Sequence, residues 1–273
     1  MTEAASPLAL PGPWDLVASG YALEAGAVME PFAEAAFRLS GAGTSADVLD
    51  VATGPGTLAL AIAPRVRSVT AIDFAPAMLR ELQTRIEGLG VTNVSVHQGD
   101  GQALPFAARS FDAGFSMFGL MFFPDRARGF AELFRVLRSS GTAVVSSWAP
   151  VEESPLMLAM FGALRAADPS RPAPQTNLLS LENPDVFAAE LRQAGFEDVS
   201  VTRHVASISV ADTTQFWEAM ARSSAPIVLL RQRLGEAEWQ RQSQNALAYL
   251  QSELGSGPIE LGTTAFLGFG RRP

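Results

Sequence analysis

The stretch VLDVATGPGTLAL, residues 48–60, changes its period within thirteen residues: a β-branched, apolar run ends in Gly54, Pro55 and Gly56 and passes directly into LALAIA. A strand that leaves through a tight glycine turn into a helix cannot pair with its successor as a hairpin. It must reach the next strand by a right-handed crossover and lie parallel to it. The same alternation continues. SVTAID is followed by a helical stretch with Leu79, Leu82 and Ile86 on one face; VSVHQ and FDAGFSM read as strands; Phe130, Leu133, Phe134 and Leu137 form an i, i+3, i+4, i+7 stripe before the strand TAVVSSW. Repeated βαβ units bury a parallel sheet between helices on both faces, which is an α/β architecture.

The flanks are built differently. Residues 1–13, with Pro7, Pro11, Gly12 and Pro13, read as a flexible arm, and 14–40 as two or three short N-terminal helices broken at Gly20, Gly26 and Pro31. Beyond Trp148, Pro150, Pro155, Pro169, Pro172 and Pro174 frame one apolar helix, PLMLAMFGAL. Asn183 and Pro184 then start VFAAELRQ as N-cap and N1, EDVSVTRHVASISV is a strand, a helical block runs from about Thr214 to Leu254, and TTAFLGFGRR is a short last strand. Residues 14–273 therefore read as a single domain, in which 150–182 and 212–255 interrupt the sheet as helical lid insertions.

Composition narrows the chemistry. With no cysteine, thiolate zinc sites, iron–sulfur clusters and cysteine nucleophiles are excluded, and two histidines leave little for imidazole ligation, so no metal is expected. A net charge of -8 argues against nucleic acid as a partner. The opening MTEAASPLAL has an acid where a signal peptide needs positive charge, and no apolar run is long enough for a membrane span, so a cytoplasmic protein is expected.

Chemistry concentrates at strand ends. Glycines at 54 and 56 permit close backbone approach to a ligand, and a helix start behind them favours negative charge. The second strand ends on Asp73, where a carboxylate can accept from both hydroxyls of a ribose. Asp100, between Gly99 and Gly101, faces the same crevice and can meet an adenine amino group or serve as an Asx-turn residue. Asp50, inside the first strand, needs partners if buried, and the amides of the glycine loop are the expected ones.

On VLDVATGPG, VTAIDFAPAML, GDGQALPF, SFDAGFSMFGLMFFPD and RVLRSSGTAVVSSW, spread over residues 47–148, the chain resembles the class I S-adenosylmethionine-dependent methyltransferases, in particular the small-molecule branch that includes the ubiquinone and menaquinone biosynthesis enzymes. WDLVASGY and FLGFGRR match more weakly. The resemblance implies a Rossmann-like seven-stranded sheet with an antiparallel last strand, helices on both faces, a helical lid, and S-adenosylmethionine as cofactor with S-adenosylhomocysteine as product. It implies a cofactor-binding set of Asp50, Ala52, Gly54, Gly56, Asp73, Phe74, Met78, Asp100, Gly101, Gln102, Ser116 and Met117, with Tyr21 closing from the N-terminal helices. Two departures stand out. Ala52 replaces a residue that is commonly glycine and is tolerated if its φ is negative; Ala75 replaces a serine, so a local cap is missing. The Asn-Pro-Pro-Tyr or Asp-Pro-Pro-Tyr motif of nucleobase amino-methylating enzymes is absent; Ser116, Met117, Phe118 and Gly119 stand there. A small-molecule acceptor is therefore expected, bound by a monomer or homodimer.

Trp14, Phe118, Met121, Phe122 and Phe123, with Met157, Met160 and Phe161 from the lid, would wall a pocket for a flat apolar acceptor, although ordinary core packing uses the same residues. His204 is the candidate catalytic base, with a surface strand position as the other reading; His97 lies on a core strand. Two other classes remain open. A nicotinamide-dependent oxidoreductase satisfies the same glycine-and-acid rule, and NADH binding would favour it; a non-catalytic metabolite-binding descendant would leave an apolar lid exposed with cofactor bound.

Overall fold

The computed structural model describes residues 6–169 and 181–273. Two helices open the chain, α1 (Pro11–Glu24) and α2 (Gly26–Ser40), followed by the alternating part: β1 (Asp47–Val51), α3 (Thr57–Ile62), β2 (Ser68–Asp73), α4 (Pro76–Leu89), β3 (Val94–Gln98), β4 (Phe111–Ser116), α5 (Arg126–Val136) and β5 (Leu137–Trp148). The C-terminal part holds α6 (Pro155–Ala167), α7 (Pro184–Gln193), β6 (Glu197–Val210), α8 (Thr213–Ser223), α9 (Ala225–Leu234), α10 (Glu236–Leu254) and β7 (Ile259–Arg271).

The strands form one sheet in the order β3-β2-β1-β4-β5-β7-β6. β1 pairs in parallel with β2 and β4, and β7 runs antiparallel between β5 and β6. Strand order reverses beside β1, so the carboxyl ends of β1 and β4 diverge and leave a crevice. Alternation along β1 serves both faces. Leu49 and Val51 pack with Phe130 and Leu133 of α5, whereas Val48 packs with Phe37, Leu58 and Leu82 from α2, α3 and α4.

The sequence's punctuation accounts for the boundaries that aim these ends. α4 begins with Pro76 at N1 and stops at Gly90, whose φ of +65°, in the left-handed region, is the common glycine helix stop. Asp125 caps α5 by accepting from the Arg128 N–H at 2.9 Å, and the Asn183 side chain caps α7 as expected. The last strand is longer than TTAFLGFGRR suggested, because its pairing with β6 extends back to Ile259.

The N-terminal region departs from expectation. Residues 11–13 of the expected arm belong to α1, Pro7–Ala9 form a 3-10 turn, and Gly20 and Pro31 lie inside helices. The Trp14 indole N–H donates to the Leu8 carbonyl at 2.8 Å and folds the chain before α1 back onto it. Residues 1–5 of the arm, and 170–180 of the expected lid segment 150–182, lie outside the described residues. Within the described part, α6 packs against α10, while α1 packs against α4, α8 and α9. Among the described residues no helix is long and apolar enough to cross a membrane, and no group of three or more His, Cys, Asp or Glu could hold a metal ion.

Gly20 permits the α1–α8 contact: a Cβ there would stand 2.2 Å from the Arg222 carbonyl oxygen. A backbone atom cannot swing aside, so Gly20→Ala must push the helices apart. We expect a loss of about 1–3 kcal/mol, seen as a lower thermal midpoint. An unchanged midpoint would show that the two helices do not meet this closely.

Candidate active site

A partly open cleft with about 830 Å³ of empty space lies over the carboxyl ends of β1–β4. Each of these strands contributes its outgoing turn: Ala52 and Gly54 after β1, Asp73 and Phe74 at β2, Gly99 to Gln102 after β3, and Met117 to Gly119 after β4. Met78 of α4 lines the same space, and α1 covers it with Trp14 and Tyr21.

Asp73 organises the floor. Its Oδ2 accepts the Gly54 N–H at 2.8 Å and its Oδ1 the Ala75 N–H at 2.9 Å, so one carboxylate joins the loop after β1 to the turn after β2. Burial pushes its carboxyl above the usual range; the amides of Ala75, Gly54 and Phe74 oppose this, and the charge of Asp15 adds to it. Each carboxylate oxygen keeps lone-pair capacity beyond its backbone bond, so two hydroxyls of a ribose can still be accepted. Asp100 is exposed and accepts the Gln102 N–H at 2.8 Å, and Gln102 in turn accepts the Asp125 N–H at 2.9 Å. The Asx turn and the cleft position thus coexist at Asp100.

Asp50 behaves differently from expectation. The Thr53 hydroxyl donates to it at 2.7 Å and the amide of Ala59 also binds it, so it ties β1 to α3, and the amide of Gly54 goes to Asp73 instead. Burial pushes Asp50 up to about 7; the Thr53 hydrogen bond opposes this and the charge of Asp73 reinforces it. Gly56 does not line the cleft. Its φ is +81° and a Cβ would stand 2.3 Å from Leu82, so this glycine serves the close approach of α3 and α4. Ala52 has φ +56°, the opposite of the negative value that would make it an easy replacement for glycine. A left-handed alanine costs about 1–2 kcal/mol.

The loop after β4 is also held in a costly shape. Phe118 has φ +56°, its N–H donates to Ser146 Oγ at 2.8 Å, and the Leu120 N–H donates to Ser116 Oγ at 3.0 Å. Ser116 is therefore a buried support beneath the cleft. The Phe118 ring stacks on Trp148 at 4.1 Å between centroids and meets Phe32 edge-on. On the opposite wall Trp14 contacts Phe122 at 5.4 Å and Tyr21 at 6.3 Å. The Tyr21 hydroxyl is pushed up to about 12, first by burial and then by the charge of Asp73, so it stays a proton-bearing donor.

Of the expected acceptor wall, Trp14, Phe118, Phe122 and Phe123 reach the cleft. Met121 and Met157 are buried in the core, with Met160 packed against it. Phe161 lines a separate groove between α6 and α10. Cover comes from α1, and α6 supplies none of the cleft-lining residues. His204 sits on edge strand β6, three strand spacings or about 14 Å across the sheet from β4. Its ring contacts Thr202 Oγ1 at 3.0 Å, and burial, followed by the charge of Arg38, lowers its proton affinity. His97, on the other edge strand, meets Phe106 edge-on. Leu8, Ala9 and Pro124 line the cleft without having carried a sequence signal. Asp15 also went unrecognised, although the weaker match WDLVASGY contains it.

A doubly wound sheet with a cleft at its switch point, and an antiparallel strand inserted between β5 and β6, defines a class I methyltransferase-type fold. The comparisons agree. A family described as methyltransferase domain matches residues 48–141. An uncharacterized protein of Mycobacterium tuberculosis is 32% identical over 198 residues, covering 71% of this chain and 69% of that protein. A ubiquinone/menaquinone biosynthesis C-methyltransferase of a Geobacter species is 31% identical over 183 residues, covering 62% and 76%. Among solved structures, the [4+2]-cyclase SpnF superimposes with a TM-score of 0.63 at 18% identity, covering 99% of this chain and 97% of that one. The chain belongs to the class I S-adenosylmethionine-dependent methyltransferases, whose cofactor is S-adenosylmethionine.

The buried acid yields a prediction about stability. The unfolded chain releases the Asp50 proton near pH 4, whereas the folded chain holds it to about 7. The stability this group lends is therefore complete below about pH 4 and is lost as pH rises toward 7. Asp50→Asn keeps an accepting oxygen for Thr53 and cannot ionise, so its thermal midpoint relative to the native chain should rise between pH 5 and 8. Parallel curves for the two proteins would contradict the assignment.

Proposed function

We propose that this chain transfers a methyl group from S-adenosylmethionine to a small apolar or aromatic acceptor by direct in-line displacement, in the manner of the quinone-type small-molecule branch. The observation that carries the reading is the composition of one cleft: ribose-competent Asp73 and adenine-facing Asp100 at one end, and Trp14, Phe118, Phe122 and Phe123 at the other. Two carboxylates and no Lys, Arg or His line it among the described residues. A ligand with net positive charge suits that field, whereas a dinucleotide diphosphate would meet acids without a cation. The placement of antiparallel β7 between β5 and β6 also departs from the dinucleotide order.

The cofactor, when bound, supplies a sulfonium-activated methyl group. The chain's own part is to bind, align and keep water out. Asp73 accepts hydroxyl protons at the floor. Tyr21, protonated across the physiological range, donates from α1. Phe118 and Phe122 orient a flat acceptor, and Trp14 shields the mouth. Since the described lining offers no histidine or lysine, alignment carries the rate and an acceptor acidic enough to lose its own proton is favoured. The match to a C-methyltransferase supports this branch, and the likeness to a cyclase shows why the fold alone does not carry the reaction.

Titration with S-adenosylhomocysteine should give micromolar binding, and Asp73→Ala should weaken it by about 1.5–3 kcal/mol through lost charged hydrogen bonds. An unchanged constant would remove Asp73 from the site, and no binding at millimolar ligand would reject the function. A second expectation concerns His204. Single-turnover transfer by His204→Gln should fall less than about tenfold, because alignment carries the rate, whereas a general base would contribute about 10²- to 10⁴-fold. A hundredfold loss, with an ionisation near neutrality gone, would make His204 the base.

A further inference from the structure

Helix α4 starts on Ala75, whose side chain cannot cap it. The first turn of a helix leaves four N–H groups without intrahelical partners, and Pro76 has none of its own. The next amide, that of Ala77, is met from 62 residues away: Asp15 Oδ1 on α1 accepts it at 2.7 Å. Two carboxylates thus hold the amides on either side of Pro76, Asp73 from the strand end and Asp15 from the covering helix. Val17 and Ala18 of α1 pack on Ala75 and Met78, and Ser19 hydrogen-bonds Glu81 further along α4. The same α1 presents Trp14 and Tyr21 to the cleft.

We propose that Asp15 is a positioning residue of the cofactor site: by capping α4 from α1 it couples the seating of the Asp73 turn to the closure of α1 over the cleft. The proposal rests on the cleft being the S-adenosylmethionine site. A serine at position 75 would cap α4 whether α1 were docked or not. A cap carried by α1 exists only when α1 is docked, so the order of each is linked to the order of the other, and a ligand that holds the turn must also favour the docked helix. Loss of a cap typically shifts an equilibrium by about three- to thirty-fold.

The test compares the native chain with Asp15→Ala, Asp15→Asn, Ala75→Ser and the double variant Asp15→Ala/Ala75→Ser, using S-adenosylhomocysteine titration and amide hydrogen exchange. Asp15→Ala should weaken binding by about three- to thirty-fold and speed exchange across α1, whereas Asp15→Asn, which keeps the accepting oxygen, should stay within about threefold of the native affinity. The double variant should regain slow exchange at the start of α4, yet keep fast exchange in α1 and weak binding. Native affinity in Asp15→Ala, or its full return in the double variant, would reduce the contact to local capping and overturn the proposal. If Asp15→Ala is too unstable to purify, Ala75→Ser alone reads the coupling. The protection that α1 gains on binding should then shrink, and an unchanged gain overturns the proposal. Failure of the native chain to bind would reject the cofactor reading, while ligand-free exchange in the Asp15 variants would still report whether the tie between α1 and α4 exists.

Discussion

The cleft depends on one carboxylate doing two structural tasks. Asp73 holds the amide of Gly54 with one oxygen and that of Ala75 with the other, so two loops that leave adjacent parallel strands are fixed to each other before any ligand arrives. Parallel strands have no hairpin to set the relation of their exits, and each loop would otherwise find its own position. Burial raises the cost of ionising this acid, and the ring of backbone N–H donors offsets it. A ligand hydroxyl approaching Asp73 therefore meets an acceptor that is already oriented.

Around that joint, the chain accepts backbone strain. Ala52 and Phe118 both sit at φ +56° on neighbouring strand exits, and each lines the cleft. Such conformations persist when their surroundings over-determine them. For Phe118 the causes are visible: Ser146 holds its amide, and Trp148 and Phe32 hold its ring. The result is an aromatic surface turned toward the cleft from a loop that cannot easily relax away from it.

The fold was legible wherever local chemistry decides structure. The strand-turn-helix switch at VLDVATGPGTLAL, the ends marked by Pro76, Gly90 and Asn183, and the stripe on α5 all appear where periodicity placed them. So did the polar floor, because Gly54, Asp73 and Asp100 follow strand ends that a sequence can locate. The misplaced residues share a different property. Gly20 and Pro31 read as breaks, yet both lie within helices that packing stabilises, and Gly20 is needed because another helix's carbonyl approaches it. Met157, Met160 and Phe161 had the composition of a lid over an apolar acceptor, but composition does not say which side of the sheet's end a helix covers. His204 had the right chemistry on a strand whose place in the sheet order could not be read from the chain.

That last limit explains why the covering helix comes from the N-terminus. The segments after β5 must build β6 and β7 on the far edge of the sheet, so α6 and α10 pack on each other beside that edge. The cleft lies over β1–β4, on the other side of β5. A helix preceding β1 begins close to the crevice and can lie across it, as α1 does, meeting α4 on one side and α8 and α9 on the other. The C-terminal helices then act on the site through α1: they fix the back of the helix whose front carries Trp14 and Tyr21. Gly20 is the point where that support is tightest, and the charged pair of Arg222 with Glu24 continues it one turn further along α1. The wall of the cleft is thus set by packing between the two ends of the chain, while its polar floor is set by the strands between them.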